Sequence, residues 1–376
     1  MRSYDEPGNG KVQDMVTPSW RPGQKRVAVI LGAGASLGSS NLDAEVDDDW
    51  RPPLAVNLFG ARAYQGGYWE LLQRYSGAQA IQDLMFQESK KPGFAFETAL
   101  RRFAEHSVYK QLFKHVPAYL RDLLHTVERQ WARSQPHYTE LVAQLLVESD
   151  HHVAFISLNY DTFLEQAIAK VLPELKIFGQ DDYARAGRVA WVLKVHGSID
   201  WSTPIGNMAQ DWDDAIDSVT FPDILKQPID VGKAIGHRIA DYQDPDNLRR
   251  VYPILTAPLA GKGDSEFLLP ADQKTALAEF LEGCHKYLIL GTSGKDDDLL
   301  GFLSQHAAKP TVINYVASGD ESEVGEIRRR FRSKITQFRG RDRDSELFFN
   351  GFGGYIQNGD LKRFSLACPL FHTETI

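Results

Sequence analysis

Short apolar runs recur along the chain, and each ends in a glycine or a polar cluster. The run Val27-Ala28-Val29-Ile30-Leu31 leads directly into Gly32-Ala33-Gly34-Ala35-Ser36, which is typical of a buried parallel strand followed by a tight turn and a helix. Helical periodicity at 161–172 and 272–281 lies between such runs. Strands are predicted at 26–31, 153–158, 190–195, 251–257, 287–290 and 311–316. The alternation predicts an α/β fold, a Rossmann-like parallel sheet with helices on both faces.

Four regions depart from this alternation. Residues 58–150 have apolar positions at helical spacing and no clear strand, which predicts a helical insertion. Residues 200–250, rich in Asp, Pro, Gly and Trp, predict an irregular insertion. Asn350-Gly351 and Asn358-Gly359 interrupt the aromatic alternation of 347–371, which predicts a C-terminal β-hairpin region. The polar residues 1–24 predict a flexible N-terminal arm ahead of one domain over 25–376.

Composition and charge narrow the functional classes. The 376 residues are 43% hydrophobic and 24% charged, as expected for a soluble globular protein with a large core. The net charge of −8 argues against direct nucleic-acid binding. Cys284 and Cys368 cannot form a four-thiolate zinc site, and so few cysteines suit a reducing cytoplasm. The N-terminus has no signal-peptide core, and no apolar run approaches the roughly 20 residues needed to span a membrane.

The turn after the first apolar run is a candidate nucleotide site. Glycines allow a ligand to approach the backbone, and a helix start offers N–H groups and a positive dipole end to a phosphate. The dinucleotide fingerprint requires its third glycine at position 37, where the chain has Leu37, while Gly38 comes one place later. The turn therefore favours a nucleotide pyrophosphate and argues against hydride transfer. A purely structural strand turn is the alternative.

Three more polar clusters follow predicted strands. They are Ser157-Leu158-Asn159-Tyr160-Asp161, Lys194-Val195-His196-Gly197-Ser198 and Leu290-Gly291-Thr292-Ser293-Gly294. Ligands of open parallel sheets bind outside the carboxyl ends of the strands, so these clusters are expected to converge on one crevice. Each has a structural alternative: Asn159 and Asp161 could cap the following helix, and His196 could be a hydrogen-bonded core histidine.

In this order the motifs resemble those of sirtuins over roughly residues 26 to 316. The matching residues are Gly32-Ala33-Gly34-Ala35-Ser36, Asn159-Tyr160-Asp161, His196-Gly197, Gly291-Thr292-Ser293 and Asn314. Sirtuin deacylases carry a four-cysteine zinc module after the His-Gly pair, and this chain has no cysteine there. Residues 194–201 are instead similar to bacterial sirtuin-like proteins of antiphage defence, which act as NAD glycohydrolases.

The resemblance implies a sirtuin-like NAD-binding domain over 25–376, with NAD as substrate and no metal. It implies that Asn159 holds the nicotinamide ribose and the attacking water, and that His196 is the general base. A histidine titrates in the range that this role requires. The residues that the resemblance implies in NAD binding are Gly32, Ala33, Gly34, Ala35, Ser36, Asp161, Gly291, Thr292, Ser293 and Asn314.

The same resemblance implies partners and a setting. The chain is similar in length to the sirtuin-like subunit that pairs with a HerA-type ATPase. This similarity implies that the protein forms a homo-oligomer and pairs with a HerA-type ATPase or another defence partner. The implied activity is that of an NADase that depletes NAD in abortive infection. The alternatives are an NAD-dependent protein deacylase and a non-catalytic sensor of NAD or ADP-ribose that controls a partner.

Overall fold

The protein is described by a computed structural model. It covers residues 25–39, 50–59, 67–92, 96–109, 111–131, 136–149, 151–175, 183, 190–207, 230–231, 243–244, 249–255, 268–269, 271–339 and 345–367. The predicted arm at 1–24 lies outside these residues, as does most of 208–248. Among the described helices, none combines the length and the apolar character that crossing a membrane requires.

The described strands and helices are numbered separately in chain order. The strands are β1 (Lys25–Leu31), β2 (His151–Ser157), β3 (Ala190–Lys194), β4 (Gly197–Asn207), β5 (Asp230–Val231), β6 (Gln243–Asp244), β7 (Arg249–Leu255), β8 (Lys286–Leu290), β9 (Val312–Val316) and β10 (Ser345–Phe348). The α-helices are α1 (Ala33–Leu37), α2 (Ala55–Leu58), α3 (Gly67–Leu72), α4 (Ser76–Ser89), α5 (Phe96–Glu105), α6 (Val116–Trp131), α7 (Pro136–Val142), α8 (Phe163–Val171), α9 (Ala271–Glu282), α10 (Asp297–His306), α11 (Glu321–Lys334), α12 (Gly351–Gln357) and α13 (Asp360–Leu366).

Six strands form one parallel sheet in the order β10-β9-β8-β1-β2-β3. β1 lies at its centre, and the chain continues to one side through β2 and β3 and later to the other through β8, β9 and β10. This strand order is the doubly wound arrangement, and its topological switch point lies between the adjacent strands β1 and β8. The predicted Rossmann-like α/β fold is confirmed.

The sheet separates two apolar cores. Val27, Val29 and Leu31 pack on one face with residues of α6 and α7, whereas Ala28 and Ile30 pack on the other with residues of α9 and α10. Because both faces are covered, β2, β3 and β8 are buried along their whole length. Burial on both faces explains the apolar runs at 153–156, 190–193 and 287–290 within these strands.

The predicted helical insertion is helical in the structure, from α3 to α7 and a following π-helix at Ala143–Val147. Its apolar residues belong to the core on the Val27 face of the sheet, with Leu123, Tyr138 and Leu141 among them. The segment therefore shares its core with the parallel sheet. The division of the chain into an arm, a domain and two insertions stays a prediction.

The strand predicted at 251–257 forms, as β7, but in a second sheet. β7 pairs antiparallel with β4, in a sheet of order β5-β4-β7-β6. Both ends of the predicted irregular insertion at 200–250 are thus strands. Register shifts between Gly197 and Ser202 and between Pro204 and Gly206 interrupt the alternation of β4. A strand with such irregularities has no clear two-residue period in the sequence.

The C-terminal region differs from the predicted β-hairpins. Gly351 and Gly359 adopt the positive φ values of 66° and 74° that a hairpin turn would use, but helices α12 and α13 begin at these points. The aromatic residues Phe352, Tyr355 and Phe364 are buried on those helices, so their spacing reflects helical packing. β10 joins the edge of the parallel sheet beside β9.

Candidate functional site

Two glycine loops meet at the switch point of the sheet. The Gly32 amide donates to the Leu290 carbonyl at 3.0 Å, and the Gly34 amide donates to the Gly291 carbonyl at 2.8 Å. A Cβ on Gly32 would lie 2.6 Å from the Gly291 oxygen, and one on Gly291, where φ is +65°, would lie 2.0 Å from the Ala35 nitrogen. Glycine is required at these positions because the two loops are in backbone contact.

This contact limits the predicted phosphate site. The helix after the turn, α1, has only five residues, and the Ala35 amide donates to the Gly32 carbonyl at 2.8 Å. The Gly32, Gly34 and Ala35 amides therefore all bond within the protein. The sequence predicts unpaired amides at this helix start, and these three amides are instead paired. The roles of Gly32, Ala33, Gly34, Ala35 and Ser36 toward a pyrophosphate stay predictions.

Ser36 connects three of the predicted elements. Its hydroxyl donates to Asp161 Oδ2 at 2.7 Å and accepts from Asn159 Nδ2 at 3.0 Å. Tyr138 Oη, on α7, lies 3.1 Å from the same oxygen. The Ser36 proton is directed to Asp161, so Tyr138 is the donor in this pair. The loops after β1 and β2 are thus held together by a buried hydrogen-bonded cluster that includes a residue of the helical segment.

Asp161 and Asn159 differ with respect to the predicted capping. Asp161 Oδ1 accepts from the Phe163 amide at 3.4 Å, next to Thr162, which is the N-cap of α8. Asp161 thus contacts the first residue of this helix as well as Ser36. Asn159 instead extends across to the first loop, where Nδ2 donates to the Gly32 carbonyl at 3.0 Å. Burial raises the pKa of Asp161, while the nearby Lys194 ammonium and the Ser36 hydrogen bond act in the opposite direction.

The amide oxygen of Asn159 is an unusual buried acceptor. The residue is only 6% exposed, and Oδ1 has no hydrogen-bond partner among the described residues. A buried polar atom of this kind is normally paired with protein, water or a ligand. Nδ2 is fixed by two protein oxygens, so the orientation of Oδ1 is set before any ligand binds.

Buried charges lie directly behind this loop. Lys194 Nζ donates to the Asp161 carbonyl and lies 3.3 Å from Glu165 Oε1. Glu128, on α6, accepts from the Thr162 amide and, at 2.9 Å, from the Thr162 hydroxyl. Burial raises the pKa of both Glu165 and Glu128. No local pattern predicts the contact between Glu128 and Thr162, because the two residues are 34 positions apart.

His196 has a carboxylate partner that the sequence reasoning missed. His196 Nε2 lies 2.6 Å from Asp296 Oδ2, and the two side chains are 13% and 20% exposed. Asp296 is the N-cap of α10, and its Oδ1 accepts from the Leu299 amide at 2.7 Å. The run Asp296-Asp297-Asp298 before an apolar helix is a typical start signal, which could have identified the cap. Its contact with His196, 100 positions earlier, could not be identified this way.

The remaining predicted residues lie in two places. Thr292 is buried beside Gly32 and its hydroxyl accepts from the Gly294 amide at 3.2 Å, while Ser293 is exposed. Asn314 lies within β9, and its Nδ2 donates to the Tyr355 hydroxyl at 2.8 Å. Asn314 is thus held against α12, two residues before the end of its strand. Its predicted role in NAD binding stays a prediction.

Comparison with known proteins finds a family match over part of the chain. A family model described as a SIR2-like domain matches residues 153–234, which include Asn159, Asp161 and His196. No match was found among curated proteins. Across the described residues, no group of three or more His, Cys, Asp or Glu side chains is arranged to hold a metal ion.

The chain is also similar to solved structures of Sir2 proteins. One is a Sir2 homologue in complex with NAD, at 12% identity and a TM-score of 0.37, covering 91% of this chain and 90% of that chain. A second is a mutant Sir2 homologue bound to ADP-ribose, at 14% identity and a TM-score of 0.39, covering 92% of this chain and 96% of that chain. A third is a Sir2 protein bound to a propionylated peptide, at 12% identity and a TM-score of 0.36, covering 90% of this chain and 95% of that chain. At these values the similarities carry no argument about function.

Proposed function

We propose that the protein is an NAD⁺ glycohydrolase that cleaves the nicotinamide–ribose bond and releases nicotinamide and ADP-ribose. The observation that carries the proposal is the contact of Asn159 with the loop after β1, beside the switch point, where Gly32 and Ser36 fix Nδ2 and Oδ1 is buried. Nucleotides bind at such switch points in doubly wound sheets. The SIR2-like match over residues 153–234 supports NAD as the nucleotide.

The side chains suit the electronic demands of this cleavage. As the C–N bond breaks, its electron pair leaves with neutral nicotinamide and positive charge develops on the ribose. In the proposed complex, Asp161 contacts the carboxamide of the nicotinamide and so orients the leaving group. Asn159 Oδ1 accepts from the attacking water, whose oxygen bonds to C1′. The proton released by that water goes to His196, which makes His196 the general base.

Two substitutions test this assignment. In His196→Ala and Asn159→Ala, we expect NAD cleavage to fall on the order of 10²- to 10⁴-fold, which is typical for loss of a general base. The matched control is His285→Ala, because His285 is exposed and directly precedes β8, at the end of the strand opposite to the candidate site. Chromatography of nicotinamide and ADP-ribose gives the rates. Unchanged turnover in both site variants would refute the assignment.

The same assay separates the two alternatives. Nicotinamide release that requires an acylated peptide would assign an NAD-dependent deacylase. Tight NAD binding without turnover, also in the assembled protein, would assign an NAD or ADP-ribose sensor.

The biological setting forms a further part of the proposal. We propose that NAD cleavage depletes the cell of NAD in antiphage defence, and that a homo-oligomer and a HerA-type ATPase or other defence partner control it. An NAD-destroying enzyme must be restrained until it is needed, which motivates control by assembly. The mass and the NAD turnover of the protein, measured with and without the product of the neighbouring gene, test this part.

A further inference from the structure

We propose that Asp296 is a positioning residue that fixes the tautomer of His196 and so determines which ring nitrogen accepts the proton. The inference rests on the proposed function, because it assigns the basic atom of the same site. It is carried by the 2.6 Å contact between His196 Nε2 and Asp296 Oδ2.

The two oxygens of Asp296 have separate partners. Oδ1 accepts from the Leu299 amide as the N-cap of α10, and Oδ2 faces His196. Because Asp296 accepts from the Leu299 amide within this ten-residue helix, the cap fixes the carboxylate independently of the histidine. A helix N-terminus also favours the anionic form of a capping carboxylate.

The contact joins loops that are far apart in the sheet. His196 follows β3, whereas Asp296 follows β8, and β1 and β2 lie between these two strands. The hydrogen bond therefore connects the two sides of the switch point. It holds the imidazole in one orientation relative to the loops that carry Asn159 and Gly32.

The chemistry of this pair determines the tautomer. An ionised carboxylate only accepts hydrogen bonds, so Nε2 must carry the ring proton and the lone pair must lie on Nδ1. When Nδ1 takes a proton from the attacking water, the resulting imidazolium is stabilised by the charge-assisted bond to Asp296. Asp296 itself stays ionised throughout the reaction.

Asp296→Asn separates this role from helix capping. Asparagine caps helices as well as aspartate does, but its amide can donate to Nε2 and so favours the tautomer protonated on Nδ1. We expect kcat to fall on the order of 10²- to 10⁴-fold, as expected for a general base held in the wrong tautomer, with a smaller change in KM and an altered kcat–pH profile.

The matched control is Asp297→Asn. Asp297 lies in the same helical turn, is 73% exposed, and pairs with Lys334 at 3.4 Å. This substitution removes the same charge from the same helix terminus without changing the contact to His196. We expect kcat to stay within about twofold of the original protein, since the charge is exposed and screened.

Nitrogen-15 NMR of the histidine rings gives a readout that does not depend on activity. The His196 signals are assigned from their loss in His196→Gln. We expect a proton on Nε2 in the original protein and on Nδ1 in Asp296→Asn. A proton on Nδ1 in the original protein, or an unchanged tautomer in the variant, would overturn the proposal.

The two readouts distinguish failure of the inference from failure of the proposed function. If the original protein cleaves no NAD but shows the expected tautomers, the enzymatic proposal fails while the positioning role of Asp296 survives. If Asp296→Asn does not fold, Asp296→Ser keeps a good N-cap and removes the carboxylate. A Ser variant that retains the Nε2-protonated ring would then contradict the role of Asp296.

Discussion

Tyr138 Oη lies 3.1 Å from Ser36 Oγ, which joins the helical segment to the first loop of the candidate site. Tyr138 is fully enclosed, and burial raises the pKa of its hydroxyl well above the ordinary value, so it stays a neutral donor. Ser36 meanwhile donates to Asp161 and accepts from Asn159. The helical segment therefore supports the site directly, through a hydrogen bond as well as through the shared core.

The first prediction concerns this hydroxyl. Tyr138→Phe removes a buried donor and leaves Ser36 with one fewer partner, so we expect a loss of about 1–3 kcal/mol in the free energy of unfolding. NAD affinity should weaken as well, because Ser36 orients Asn159. Denaturant titration and calorimetric NAD binding provide the two measurements.

Tyr315→Phe is the matched control for that prediction. Tyr315 is also buried, but its hydroxyl has no hydrogen-bond partner among the described residues. Removing an unpaired buried hydroxyl is expected to be neutral or stabilising. Equal losses in the two variants would show that the Tyr138 hydroxyl has no specific role.

The second prediction concerns the contact of the glycine loops. Gly291→Ala places a Cβ 2.0 Å from the Ala35 nitrogen at a φ of +65°, so the loops must separate. We expect a loss of at least about 1–2 kcal/mol from the backbone conformation alone, together with weaker NAD binding. Gly301→Ala, in α10, is the control because a Cβ there meets nothing within 4 Å. That change should stabilise the protein by about 0.5–1 kcal/mol, and thermal unfolding of both variants checks the difference.

The sequence predicted the parts of the fold that depend on local patterns. β1, β2 and β8 are covered on both faces, so each contains an apolar run. The clusters after them lie at the carboxyl ends of the strands, as expected. β4 was missed because register shifts interrupt its alternation. The C-terminal Asn-Gly pairs were misleading, since a glycine with positive φ can begin a helix as well as form a hairpin turn.

Local sequence patterns do not predict the contacts that hold the candidate site together. Tyr138 and Ser36 are 102 positions apart, and His196 and Asp296 are 100 apart. A motif lists residues that follow one another, whereas these partners are brought together by the sheet order and by helix packing. The interaction of Glu128 with Thr162 is of the same kind, and no periodicity distinguishes Glu128 from a solvent-exposed helical glutamate.

The third prediction is a pH dependence of stability at Glu128. Burial raises the pKa of this carboxyl well above 4.5, and the neighbouring Asp161 and Asp200 add to the rise, while hydrogen bonds from Thr162 oppose it. The folded protein therefore holds a proton that the unfolded chain releases near pH 4.5. The associated stability is present below the unfolded pKa and is lost as pH rises through the folded pKa, by about 1.4 kcal/mol for each unit of difference.

Glu128→Gln should remove this pH dependence while keeping an acceptor for Thr162. We expect the variant to be more stable than the original protein at alkaline pH, and we expect the difference to shrink toward pH 4.5. Denaturant titrations from pH 4.5 to alkaline pH measure this difference in the free energy of unfolding. A constant difference at all pH values would show that Glu128 is ionised in both the folded and the unfolded states.

The fourth prediction concerns the buried ion pair behind the site. Lys194 is 1% exposed, lies 3.3 Å from Glu165, and donates to the Asp161 carbonyl. Lys194→Met leaves two buried carboxyls without their cation, so we expect a loss of about 3–5 kcal/mol in the free energy of unfolding. Without the ammonium, the pKa of Asp161 should rise further, since Lys194 lowers it in the original protein.

A double-mutant cycle tests whether this loss of stability comes from the buried carboxylate that is left without its cation. Glu165→Gln, added to Lys194→Met, removes one of the two carboxylates, so the double variant should recover part of the stability, with a coupling energy of about 0.5–3 kcal/mol. Additive losses would mean that Lys194 acts mainly through its bond to the Asp161 carbonyl. In that case NAD binding should be impaired in the single variant Lys194→Met and in the double variant alike, because in both the loop that carries Asn159 lacks the bond from Lys194.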